Sequence, residues 1–80
     1  MKLHELLTYV AAIIITALKT EPSPFPESLA LLAMGADLSK WQTVKGVLLD
    51  GGMVTIDGYA IQLTDNGRDL AQKWNAALSH

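Results

Sequence analysis

At the roughly 100° per residue of an α-helix, Leu3, Leu6, Leu7, Val10, Ile13, Ile14, Ala17 and Leu18 fall within one continuous sector. His4, Glu5, Thr8, Thr16 and Lys19 fall opposite. The pattern predicts an amphipathic first helix over about residues 2–19. Ile15 departs from it, projecting from the middle of the polar face between His4 and Thr8 in angular order. A lone exposed isoleucine is commonplace. With Ala11 and Ala12 beside it, however, Ile15 marks a candidate dimer or partner interface.

The run Glu21-Pro22-Ser23-Pro24-Phe25-Pro26 stops that helix and holds the backbone extended, because three closely spaced prolines fix φ and disfavour helix before them. The prolines are two residues apart, not the three of a PxxP ligand, so the segment reads as a stiff connector with Phe25 tucked inward. Pro26 suits the first turn of a second helix, about residues 26–35, with Glu27 at its positive end and Gly35 as its stop. That helix carries Leu29, Leu31, Leu32 and Met34. After the turn Ala36-Asp37-Leu38, either Asp37 or Ser39 can cap a third helix, about residues 39–50. Trp41, Val44, Val47 and Leu48 share one side of it, and Gln42, Thr43, Lys45 and Gly46 the other.

Two β-rich runs follow, Met53–Ile56 and Tyr59–Leu63, separated by Asp57-Gly58. Asp-Gly between such runs predicts a hairpin, since both turn residues tolerate positive φ. Alternation puts Tyr59, Ile61 and Leu63 on one face. Thr64 or Asp65 then caps a last helix, about residues 65–79, with Leu70, Trp74, Ala77 and Leu78 inward and Arg68, Gln72 and Lys73 facing water. The fold class is α+β, mostly α. Three helices precede a two-stranded β-hairpin and a C-terminal helix, in one domain spanning residues 1–80.

This is the element order of a winged helix-turn-helix, and two stretches strengthen the likeness. Leu63-Thr64-Asp65-Asn66-Gly67-Arg68-Asp69-Leu70-Ala71 resembles the wing-to-last-helix junction of MarR-type and PadR-type regulators, where a Leu-Thr-x-x-Gly-Arg/Lys pattern closes the wing. Leu38 to Val54 is similar to their recognition helix running into the first wing strand. The resemblance covers about residues 27–75. It implies that the third helix enters the major groove of double-stranded DNA, with Ser39, Lys40, Gln42, Thr43 and Lys45 as candidate DNA-binding residues. In that reading Gln42 bonds adenine, the lysines contact phosphate or guanine, and Trp41 is a packing residue.

Composition pulls the other way. The formal net charge is −2, whereas phosphate neutralisation favours basic proteins. The hairpin tip, Asp57-Gly58, is short and acidic. Half the residues are hydrophobic and only 18% are charged, so the chain carries more apolar surface than a small core easily hides. Self-association, or contact with another protein, is the expected support. Two readings therefore stand side by side. One is a homodimeric DNA-binding, transcription-regulator-like protein; the other is a winged-helix interaction module, an adaptor or a phage or mobile-element modulator, that binds no DNA.

Cysteine is absent, which removes disulfides and thiolate metal sites and suits a cytoplasmic setting. His4 and His80 lie at opposite ends with no second ligand at metal spacing, so neither metal nor cofactor is expected. The apolar run Tyr9–Leu18 after Lys2 has the outline of a signal segment. Glu5, the missing small-x-small cleavage pattern and the shortness of the run favour a core helix and no membrane partner. No nucleophile–base pair, phosphate loop or carboxylate dyad is apparent. Asp65 and Asp69 fit a solvated helix start, and the chain reads as a non-enzyme.

Overall fold

The computed structural model describes residues 1–78. Four helices and a small antiparallel sheet follow one another among them: α1 (Leu3–Thr20), β1 (Phe25–Pro26), α2 (Glu27–Ala33), α3 (Leu38–Asp50), β2 (Val54–Asp57), β3 (Ala60–Leu63) and α4 (Asp65–Leu78). The last residues of the expected 65–79 helix, and His80, lie outside the described residues.

α1 is the centre of the molecule. Val10, Ile13, Ile14, Ile15 and Ala17 are buried on it, and α3, α4, β1 and β3 all pack against it. By length and composition it is the one described helix apolar enough to cross a membrane, and here the protein's own elements cover part of it. Because neighbours approach from several directions, the buried arc differs from the sector read from the helical wheel. Ile15, expected to project into solvent, is buried, whereas Leu3 and Leu7, expected inside, are exposed. A wheel gives angles and cannot say which arc a partner helix will cover.

The core is completed by Trp41, Val44 and Leu48 of α3, and by Phe25, Ala30, Met34, Val54, Ile61, Leu63 and Ala71. Each fully buried aliphatic side chain contributes about 1.5–3 kcal/mol over its exposed form. On α2 only Ala30 lies within the buried set, so Leu29 and Leu32 stand exposed. That helix also ends earlier than the expected 35, at Ala33. Gly35 and Ala36, both at positive φ, turn the chain into α3. Of the two possible caps, Asp37 is the one used, its side chain accepting from the Lys40 backbone N–H at 3.1 Å.

The sheet has three strands in the order β1-β3-β2, not the expected two. Phe25 pairs with Ile61 and Pro26 with Ala60, so the proline connector becomes an edge strand. Pro26 is tolerated there because an edge position needs no ladder donor. The hairpin is also shifted by one residue: Asp57 pairs with Ala60, and the loop is Gly58-Tyr59. Gly58 has φ 62° and no positive φ falls on Asp57 or Tyr59, so a single glycine satisfies the turn. Tyr59, expected on the core face, is a loop residue 84% exposed. The observed register pairs Ile56 with Ile61 and Val54 with Leu63, apolar against apolar, which fixes it.

The junction into α4 follows the expected logic. Thr64 Oγ1 accepts from the Gly67 N–H at 3.0 Å, capping the helix, and donates to the Gly52 carbonyl at 2.6 Å. Gly67 is buried, and a Cβ placed on it would run into the Met53 backbone carbonyl. Farther along α4, Gly67 and Ala71 are buried and Leu70 and Trp74 are half-buried. Ala77 and Leu78, expected inside, are exposed, since the helix runs past the rest of the core.

Two glycines should respond oppositely to alanine. Gly67→Ala forces backbone apart and is expected to cost about 2–3 kcal/mol. Gly46→Ala, in open space within α3, should stabilise by about 0.5–1 kcal/mol through helix propensity. Urea denaturation followed by tryptophan fluorescence measures both, and equal effects would contradict the packing described here.

Candidate functional site

Two surfaces could meet a partner: the outer face of α3, and a groove between α1 and α4. On α3 the side opposite Trp41, Val44 and Leu48 presents Ser39, Gln42 and Thr43, all exposed. The Thr43 hydroxyl donates to the Ser39 carbonyl at 3.1 Å, as threonine does when it back-bonds within a helix. The two lysines of this face are differently placed from the expectation. Lys45 is half-buried, with Nζ 2.9 Å from Glu27 Oε1. Lys40 lies 3.6 Å from Glu5 of α1. Each cation is therefore paired within the fold, Lys45 in a half-buried contact and Lys40 in a more exposed one, and the residues between them that α3 turns fully outward, Gln42 and Thr43, are polar and uncharged.

Glu27 has a larger part than its place at the start of α2 suggested. Its Oε1 also accepts a 2.8 Å hydrogen bond from the indole Nε1 of Trp41, which is only 2% exposed. That bond satisfies the one polar atom of a buried tryptophan and explains why Trp41 packs inward. The bonds from Trp41 and then Lys45 hold the Glu27 carboxyl below its ordinary value, outweighing the opposing effect of burial.

The groove is apolar. From α1 come Leu7, Thr8, Ala11, Ala12, Ile15 and Thr16, and from α4 come Trp74, Ala77 and Leu78, enclosing about 560 Å³. The structure thus brings together the three residues singled out as an interface, Ala11, Ala12 and Ile15, with one correction. Ile15 is not a protruding knob but a buried residue of the groove, because α4 lies along its flank; Ala11 is half-buried and Ala12 exposed. The contributions of Leu7, Trp74 and Leu78 were not legible, since they depend on where α4 crosses α1. Leu29, Leu32 and Leu38 are further exposed apolar side chains, set on α2 and at the start of α3.

A second, polar cleft of about 230 Å³ lies beside the proline segment. Its cation, Arg68, was expected to face water. Instead it is half-buried, its Nε and Nη2 donating to the two carboxylate oxygens of Glu21 at 3.0 and 2.9 Å, and its Nη1 to Asp65 at 3.0 Å. The Arg68 hydrogen bond keeps the Glu21 carboxyl below its ordinary value, and Glu21 in turn raises the Arg68 guanidinium. Two acids on one guanidinium leave it no charge for an anion. Among the described residues no three His, Cys, Asp or Glu side chains form a group that could hold a metal ion.

Compared with known proteins, the chain matches no family model, no curated protein and no solved structure.

Glu27 and Glu21 make stability depend on pH with a definite sign. Their folded-state pKa values lie below the ordinary 4.5, so their contribution is complete above about pH 4.5 and is lost as pH falls through the lowered values. Glu27→Gln keeps an acceptor for the indole but loses the charge; it should cost about 1–2 kcal/mol at pH 7 and flatten the acid loss. Urea denaturation at neutral and acid pH tests this, and unchanged acid slopes in the variant would contradict it.

Proposed function

We propose that this protein is a winged-helix module that works by apolar contact with protein, through the α1–α4 groove, and does not grip DNA. The winged-helix part of the reading draws support from the order helix-strand-helix-helix-hairpin-helix and from the Thr64–Gly67 junction, which behaves physically as the resemblance implies. The observation that carries the functional part is the pairing of both α3 lysines with acids, Lys45 with Glu27 and Lys40 with Glu5. Phosphate binding rests on releasing counterions from DNA by free cations, and a lysine already held by a carboxylate must break that pair first. The exposed Asp57 beside the hairpin loop adds repulsion where a wing would approach the duplex. An apolar groove, in contrast, gains from losing its water.

The second reading, a homodimer placing α3 in the major groove, draws support from exposed Gln42, Ser39 and Thr43, which retain the hydrogen-bonding groups that read base edges. One experiment separates the two. Fluorescence anisotropy with a pool of labelled random duplex DNA, titrated with salt, should show no association even at low salt. Binding that weakens steeply with salt, and that disappears in the double variant Lys40→Gln, Lys45→Gln while the circular dichroism melt is retained, would overturn the protein-contact reading in favour of DNA.

A further inference from the structure

We propose that the occupant of the α1–α4 groove is a second copy of this chain, with the two α1 helices antiparallel about a two-fold axis beside Ala12. This rests on the protein-contact reading and names its partner. Ala12 is exposed within the groove, and Glu5 and Lys19 stand seven residues before and after it. On a helix that spacing is two turns less a small angle, so each charge lies about 10 Å along the axis from Ala12 and only about 20° off its line. A two-fold axis at Ala12 therefore sets Glu5 of one copy opposite Lys19 of the other, twice. A parallel arrangement would set Glu5 against Glu5 and Lys19 against Lys19. The charge pattern of α1 is complementary to itself in one orientation alone, as an isologous interface requires.

Three further observations agree. Lys19 is exposed and takes part in no ion pair among the described residues, so it is available to a partner; Glu5 meets Lys40 of its own chain through Oε1 alone, at 3.6 Å and partly open to solvent, which leaves its other carboxylate oxygen for Lys19 of the second copy. Thr8 and Thr16, also symmetric about Ala12, both donate their hydroxyls back to the helix, to the His4 and Ala12 carbonyls, each at 2.7 Å. Covering this face therefore strands no hydroxyl donor. Leu7 and Leu78 lie exposed on the groove walls, and the latter is 72% exposed in the single chain. A face two helices wide and as long as α1 amounts to roughly 500 Å², so a pair would bury roughly 1,000 Å², the lower bound of a specific interface. The dimer is accordingly a reversible one.

Sedimentation equilibrium of the full chain from micromolar to millimolar concentration, at low salt, tests the inference. The wild type should follow a monomer–dimer equilibrium. Lys19→Glu, which turns both cross-pairs into repulsions, should weaken it about tenfold, and Glu5→Lys similarly. In a Lys40→Gln background, which removes the pair Glu5 makes within its own chain, the double charge swap Glu5→Lys, Lys19→Glu should recover the affinity of that background to within about threefold, which a merely structural effect of either residue would not do. Leu78→Asp, at an exposed position whose change leaves the core intact, should give monomers. A wild type monomeric throughout overturns the inference while leaving a different protein partner open to the broader reading. Dimers that Leu78→Asp dissolves but the charge variants leave unmoved overturn the antiparallel arrangement. DNA binding in the anisotropy experiment would instead strike the broader reading, and self-association is measured here without DNA.

Discussion

The carboxylate of Glu27 joins two helices that otherwise have little to hold them in register. It receives the indole N–H of Trp41 and the ammonium of Lys45, residues one helical turn apart on α3, and so ties the first residue of α2 to the middle of its neighbour. Without that acceptor the tryptophan would carry an unsatisfied donor into the core, at a cost of about 1–3 kcal/mol. Since Trp41 is the largest of the fully buried side chains, the position of α3 against α1, and of the hairpin behind it, follows from where this ring is allowed to settle. The same bond draws Lys45 out of the solvent-facing set. One interaction thereby shapes the core and removes charge from the surface on which a nucleic-acid reading depends.

The local features were the legible ones. The helix starts, narrowed to Asp37 or Ser39 and to Thr64 or Asp65, and the packing side of Trp41 are written within a few residues of where they act, so propensity and capping arguments reach them; the glycine at 67 entered through the resemblance, since the Met53 carbonyl that requires it lies well back along the chain. The Phe25–Pro26 strand escaped because its partner, Ile61, is far along the chain and two residues carry no alternation. The hairpin register slipped for a related reason. Asp-Gly is compatible with two loops, and only the cross-strand pairing of Ile56 with Ile61 decides between them.

The site shows the same division. Ala11, Ala12 and Ile15 could be grouped from the first helix alone, yet whether Ile15 protrudes or lines a groove depends on α4, which arrives at the other end of the sequence. Lys40 and Lys45 were read as part of the outward face of α3, while their pairing with Glu5 and Glu27, which leaves Lys45 half-buried one turn from Trp41, is a tertiary fact that no window of sequence contains. Charge counted along a chain overstates what a surface offers, because ion pairs cancel in three dimensions.

α4 is fixed at its start and packed along α1 as far as Trp74, and only its last turn stands clear of the core. At its start the Thr64 cap, the close approach of Gly67 to Met53 and the Glu21–Arg68–Asp65 clamp fix the backbone on three sides. At its end Ala77 and Leu78 make no buried contact. Only the turn beyond Trp74, about 6 Å of helix, projects past that packing, so the stretch of groove wall formed by Ala77 and Leu78 is the part with room to move. The mouth of the groove can therefore adjust to the bulk of whatever enters it by a shift of that last turn, while Ala71 and Trp74 keep the rest of α4 against α1.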